Sequence, residues 1–332
     1  MVLAPRTFPV PRIVISKCIE FENVRWDGER IASAFVQQLT PYIEPILVCP
    51  EVEIGLGVPR DPIRLVSSAS TTRLLQPRTK EDLTAKMTHF IQTFFDSLPE
   101  VDGFILKNRS PTSAIKDAKI YPSTEKNASP LRRGPGIFGA AVLNTFPHLA
   151  IEDEGRLRNP RIKEHFLTKI YTLASFREAK TATASQALLK FHTENKLLLK
   201  AYSQKNLRIL GRLVATRDEQ PDEAVVREYA AGLSAALRQP PRCGADVNVM
   251  MTAMGYFSQR LSSDEKKHFL VLLEKYRNGA IPKSVVLGML RSWILRFQSG
   301  YLGKQTYFEP YPEPLQDIEA AIAYCDEKDY WK

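Results

Sequence analysis

The stretch "FILKNRSPTSAIKDAKIYP", residues 104–122, begins as a buried strand and stops abruptly at Ser110-Pro111. With the preceding glycine, Gly103-Phe104-Ile105-Leu106 is a short continuous apolar run, the pattern of a strand covered on both faces. Two similar runs precede it, Ile13-Val14-Ile15 and Pro45-Ile46-Leu47-Val48. Between the runs, "ERIASAFVQQLTPYI" (29–43) and "KEDLTAKMTHFIQTFFDSL" (80–98) carry helical spacing. Strands alternating with helices predict an α/β fold with a Rossmann-like parallel sheet. "IRLVSS" and "TTRLLQP" read as a hairpin, Gly134-Pro135-Gly136 opens a helix over "IFGAAVLNTF", and "HLAIEDEGRL" closes the domain.

The boundary falls near residue 155, which gives an α/β domain over 1–155 and an all-α domain over 156–332. From Asn159-Pro160 onward the periods are helical almost throughout, as in "RIKEHFLTKIYTLASFREAK", "ASQALLKFHTENKLLLKAYS" and "SDEKKHFLVLLEKYRNG". Ser263 or Asp264 is expected to cap the last of these and Gly279 to stop it.

A chain of 332 residues with 44% hydrophobic and 25% charged content is long enough for two cored domains. It lacks any run of about 18 apolar residues, so no membrane-spanning segment is expected. The opening MVLAPRTFPVPR is interrupted by prolines and reads as the lead-in to a strand. Cys18, Cys49, Cys243 and Cys325 lie far apart, without a CxxC pair, which suits a reducing, cytoplasmic compartment.

Charge separates the halves. Residues 1–155 hold 18 Lys+Arg and 18 Asp+Glu, so the whole excess of +9 lies in 156–332. Residues 156–217 alone carry 14 Lys+Arg against Glu164, Glu178 and Glu194. Such a stretch attracts polyanions, since each neutralised phosphate releases counterions; the alternative is a solvated basic face. Lys190, Lys196, Lys200, Lys205, Arg208 and Arg212, with His192 among them, recur at spacings that bring several onto one helical face, and these are the candidate RNA contacts.

In an open α/β sheet, ligands bind beyond the carboxyl ends of the strands. That rule selects Ser16-Lys17-Cys18, Cys49-Pro50-Glu51 and Asn108 to Ser113. Two cysteines that each follow a buried strand suggest a soft-metal or iron-sulfur site, although each taken singly also suits a small buried apolar residue. Glu51 is a candidate acid/base or a cap for a backbone N–H, and Lys107, Ser110 and Thr112 are candidates for substrate contact or for a plain Ser-Pro turn. Asn23, Arg25 and Asp27 in "ENVRWDG" read as a structural loop. P-loop, GxSxG and HxxxH patterns are absent from the sequence, and no GxGxxG follows an expected strand.

"IVISKCIEFENVRWDG", "VCPEVEIGLGVPRDPIRLV", the opening stretch, and "GPGIFGAAVLNTFPHLAIEDEGRLRNPRIKEHF" together resemble the successive motifs of the thiouracil desulfidase (TudS-like) family. "LLKFHTENKLLLKAYSQKNLRILGRLVA", "MGYFSQRLSSDEKKHFLVLLEKYRNGAIP" and "YLGKQTYFEPYP" resemble the YbgA-like helical domain fused to it. The resemblance implies a 4Fe-4S cluster on three cysteines that takes sulfur from a thiolated pyrimidine while water replaces it at carbon. In the two-domain, RudS-type relatives the substrate is 4-thiouridine in tRNA, and the helical domain assists tRNA binding.

Carried over by position, Cys18 and Cys49 are metal ligands, Glu51 assists water and Ser110 contacts substrate. The family's Ser-Pro-Ser-Cys-Gly reads Ser110-Pro111-Thr112-Ser113-Ala114 here, so Ser113 stands in the third cluster-binding position. A serine hydroxyl is a harder and far less acidic donor than a thiol. Three outcomes therefore stay open: a working desulfidase of thiolated uracil in tRNA or a free nucleoside, a lapsed scaffold that binds RNA, or a strand-end site with another small-molecule chemistry.

Overall fold

The computed structural model describes residues 6–68, 71–181, 185–216 and 222–316. Its described residues divide into two units, one within 10–174 with 314–316 and the other 6–9 with those within 175–313. The expected boundary near 155 lies just after the last strand, whereas this division falls inside the long helix α5 (Pro160–Thr181). The early part of α5 packs with the sheet unit: Lys169 Nζ donates to Leu149 O at 2.7 Å and Tyr171 Oη to Tyr42 O at 3.2 Å.

The first unit is built on β1 (Arg12–Ser16), β2 (Glu44–Val48), β6 (Gly103–Leu106) and β9 (Ala150–Asp153). Their order is β2-β1-β6-β9 and every pairing is parallel, with Val14 opposite both Ile46 and Phe104 and Phe104 opposite Ile151. All four carboxyl ends therefore point to one edge of the sheet. β6 is buried along its whole length, as its apolar run predicts. Gly103 is required there because a Cβ would sit 2.6 Å from Ala150 O.

A second sheet, in the order β5-β4-β3-β7-β8, comprises β3 (Arg64–Ser68), β4 (Thr71–Gln76), β5 (Glu81–Asp82), β7 (Ala118–Tyr121) and β8 (Arg132–Gly134). The expected hairpin is the antiparallel β3–β4 pair. β7, which ends the opening stretch, runs parallel to β3 and escapes the reading because the exposed Lys119 interrupts its short apolar run.

Two helices are shorter than their spacing suggests. The region 29–43 holds α1 (Ala34–Leu39) and a 3-10 turn over Thr40–Tyr42, because Ile31 instead bridges to Ile19. The long helix is α3 (Thr84–Ser97), because Glu81–Asp82 pairs with β4. The short α2 (Pro50–Glu53) and α4 (Ile137–Thr145) complete the unit.

The second unit contains α6 (Ser185–Glu194), α7 (Lys196–Tyr202), α8 (Gln204–Ala215), α9 (Asp222–Ala236), α10 (Cys243–Gly255), α11 (Ser263–Arg277), α12 (Lys283–Arg296) and α13 (Gly300–Gly303). "ASQALLKFHTENKLLLKAYS" reads as one helix but breaks at Asn195, whose Oδ1 accepts from Thr306 Oγ1 at 2.8 Å while Gln305 Oε1 accepts from Leu197 N at 3.0 Å. The cap of α11 is Ser262, with a full capping box to Glu265, rather than Ser263 or Asp264. Gly279 follows that helix at φ +72°, the left-handed conformation that glycine adopts without cost. The unit's core gathers Phe257, Phe269, Leu290, Trp293 and Tyr307, all nearly inaccessible.

Among the described residues, no helix is long and apolar enough to cross a membrane.

Candidate functional site

The four parallel strand ends deliver the candidate side chains together. Cys49 directly follows β2, Lys107 directly follows β6, Glu154 directly follows β9, and Cys18 lies two residues past β1. A cavity of about 490 Å³ opens there, lined by Cys18, Cys49, Glu51, Arg60, Ser110 and Ser113 among others. This is the strand-end crevice that the parallel topology predicts.

Glu51 is held at both carboxylate oxygens. Its Oε1 accepts from Thr112 Oγ1 at 2.6 Å and from Ser110 Oγ at 3.3 Å. Its Oε2 accepts from Cys49 Sγ at 3.5 Å and faces Arg60 Nη2 at 4.0 Å. These partners are side chains, so the alternative in which Glu51 caps a backbone N–H does not describe its bonds. The Arg60 side chain is only 6% exposed and donates from Nη1 to Val24 O at 2.9 Å and Gly57 O at 3.1 Å. A buried guanidinium so tied offsets the charge of a carboxylate that the fold withdraws from water.

The third loop is a ladder of hydroxyls. Ser110 Oγ accepts from the backbone N–H of Thr112 at 3.2 Å and of Ser113 at 3.1 Å, which makes the Ser-Pro turn. The same oxygen lies 2.8 Å from Thr112 Oγ1, which lies 3.3 Å from Ser113 Oγ. Ser110 therefore builds the turn that one sequence reading gave it, and it also lines the cavity. The start of α4 clamps the loop from behind, with Gly136 N donating to Ala114 O at 2.8 Å and Gly139 N to Thr112 O at 2.9 Å. A Cβ on Gly136 or Gly139 would lie 2.3 Å from Thr112 O or 2.1 Å from Ala114 O, so both positions demand glycine.

Lys107 is committed to neighbours, since its Nζ donates to Glu154 and to the Asn108 side chain, and to Asn108 O at 2.9 Å. Glu154 also accepts from Asn108 N at 2.9 Å. Arg25 is paired with Asp27 at 3.1 Å and Glu29 at 3.4 Å, in keeping with a structural loop.

The two thiols are 8% and 5% exposed at Cys18 and Cys49. Burial, and after it the charge of Glu51, pushes Cys18 up to about 12 and Cys49 up to about 11, so both are protonated at neutral pH in the metal-free chain. Among the described residues, no group of three or more His, Cys, Asp or Glu side chains is arranged to hold a metal ion. The donors present are two thiols, with a hydroxyl at Ser113 where a third thiolate would stand. That set does not fit a cluster anchored by three thiolates. Cys243 is half-buried in the helical unit, and Cys325 lies outside the described residues.

In the helical unit, Lys190, Lys196, Lys205, Arg208 and Arg212 are exposed. Lys205, Arg208 and Arg212 lie three and four residues apart on one face of α8. None of these five forms an ion pair among the described residues. Lys200 differs, since it donates to Thr252 Oγ1 at 2.7 Å. His192 is buried with Nδ1 3.0 Å from Tyr229 Oη, which makes it a core residue.

Arg60, Glu154 and Trp26 escape the sequence reading. The Pro-Arg pair after a glycine-rich turn is the available signal for Arg60, but nothing in periodicity ties it to Glu51.

Residues 13–154 match the family described as 2-thiouracil desulfurase, and residues 196–312 match a family of unknown function, DUF1722. An uncharacterised protein of Escherichia coli (strain K12), YbgA, is 28% identical over 156 residues, covering 47% of this chain and 83% of its own length. A solved structure of the [4Fe-4S]-dependent thiouracil desulfidase TudS aligns at 22% identity and a TM-score of 0.34, over 45% of this chain and 93% of that one.

Proposed function

We propose, from a chain that joins a TudS-like 2-thiouracil desulfurase domain to a YbgA-like helical domain, that it hydrolyses the carbon–sulfur bond of a thiolated uracil. The observation that carries the reading is Glu51, held between the Ser110–Thr112 hydroxyls and Arg60 on the wall of the strand-end cavity. The net reaction is hydrolysis without redox change: water adds to the thiocarbonyl carbon, the C–S bond breaks, and the thiocarbonyl and water become a carbonyl and hydrogen sulfide.

Glu51, held in place by its donors, takes the proton of the attacking water and returns it to the departing sulfur. Ser110 and Thr112 aim the carboxylate, and the Ser110 hydroxyl stands on the cavity wall for the uracil's polar edge. The thiols of Cys18 and Cys49 form a soft, polarisable wall suited to a sulfur substituent.

The test is sulfide release from 4-thiouridine, free and within tRNA, under anaerobic conditions. Glu51→Gln is expected to lower the rate by about 10²- to 10⁴-fold, the usual weight of a positioned acid/base. Equal rates for this variant and the unaltered protein would remove Glu51 from the mechanism.

The finer reading is that the base is carried on tRNA, with Lys190, Lys196, Lys205, Arg208 and Arg212 as phosphate contacts; the support is their exposure without acidic partners. Replacing Lys205, Arg208 and Arg212 together by alanine should weaken tRNA binding and flatten the slope of log K against log salt by about two. An unchanged slope would mean that α8 is a solvated face.

Ser113 favours a second reading, a lapsed site on an RNA-binding scaffold. That reading expects salt-sensitive tRNA binding with no sulfide released.

A further inference from the structure

Trp26 is 51% exposed and is among the residues that line the strand-end cavity. Tryptophan is rarely left half in water, because its ring contributes one of the largest apolar surfaces a fold can bury. Its backbone is nevertheless held tightly. Arg60 N donates to Trp26 O at 2.8 Å, Gly28 N to Arg25 O at 3.0 Å, and Arg60 Nη1 to Val24 O at 2.9 Å.

The flanking Arg25 is locked to Asp27 and Glu29. Among the described residues, the indole stacks on no aromatic ring and its N–H has no hydrogen-bond partner. A fixed main chain therefore presents an uncommitted ring at a cavity that Glu51 and Ser110 also line.

We infer that Trp26 is a binding residue that stacks on the pyrimidine ring of a nucleotide entering this cavity. The inference rests on the thiolated-uracil reading for the identity of the base, and on exposure, backbone fixation and position for the role of the residue. The cavity of about 490 Å³ lies within the usual range for small-molecule sites, with more room than a single six-membered ring needs. A flat, half-exposed apolar face and polar groups lining the same cavity suit a base that stacks on the one and presents its edge to the others. Stacking tolerates any pyrimidine, so product and substrate should both engage Trp26, whereas Glu51 acts only on the sulfur-bearing ring.

The test uses the full chain with uridine 5′-monophosphate and its 4-thio analogue, reading binding by equilibrium dialysis and tryptophan emission, with sulfide release measured in parallel. Trp26→Ala should weaken binding of both nucleotides roughly ten- to a hundredfold without shifting thermal unfolding. Trp26→Phe should retain most of the affinity while losing the emission change.

Unchanged affinity in Trp26→Ala, an emission change surviving in Trp26→Phe, or no nucleotide binding by the unaltered protein would each overturn the inference. Trp26-dependent binding without sulfide release would sustain it while refuting the desulfidase reading. Sulfide release that is indifferent to Trp26→Ala would do the reverse.

Discussion

Reconstituted anaerobically with iron and sulfide, Ser113→Cys is expected to hold roughly four irons per chain, where the unaltered protein holds fewer than about one. Position 113 is 3% exposed and lines the same cavity as Cys18 and Cys49. The substitution exchanges oxygen for sulfur on an unchanged Cβ, so the third anchor appears without a new backbone arrangement. Serine cannot substitute, because its hydroxyl is much less acidic than a thiol and matches iron-sulfur chemistry poorly. Its oxygen already lies within reach of Thr112 Oγ1, at 3.3 Å.

Burial also holds the two native thiols in their protonated forms, so two anchors alone must give up two protons against that bias. Iron and acid-labile sulfide assays on the two proteins decide the matter. Roughly four irons on the unaltered chain would show that Ser113 or Glu51 completes a cluster, and would reverse the conclusion drawn from the donor set.

Gly139→Ala should destabilise the first unit by about 3 kcal/mol, since the new Cβ meets backbone rather than a yielding side chain. It would lie 2.1 Å from Ala114 O and 2.9 Å from Ser113 O, so the loop from Ser110 to Ala114 must move. That loop carries the Thr112 hydroxyl bound to Glu51, and sulfide release should fall with stability. Gly288→Ala is the control. Gly288 sits inside α12 with nothing within 4 Å of its would-be Cβ, so alanine should stabilise the second unit by about 0.5–1 kcal/mol. Urea unfolding of both variants reads the difference, and a neutral Gly139→Ala would mean that the clamp between α4 and the loop is slack.

Much of this arrangement is legible in the chain. The apolar runs at 13–15 and 103–106 are strands because a strand covered on both faces has no polar side to alternate, the run at 45–48 forms the half-buried edge strand beside them, and helices between such strands make the pairing parallel. Parallel pairing in turn sends every strand's carboxyl end to one edge, which is why Cys18, Cys49, Glu51 and Ser110 can be named as neighbours from the sequence. The Ser113 substitution is legible too, since it needs only the motif.

Tertiary structure alone decided the rest. Arg60 faces Glu51, and Thr112 bonds to Glu51 across 61 positions of sequence, contacts that no local period encodes. Helix spacing runs unbroken through Asn195, yet the helix parts there because Thr306 and Gln305, more than a hundred residues on, capture its polar groups. The exposure of Trp26 and the pairing of Lys200 with Thr252 are likewise invisible in composition. Local sequence determines which segments become strands or helices, because propensity and periodicity act over a few residues. Which side chains meet in the cavity, and which remain free to meet a ligand, depends on how those segments pack.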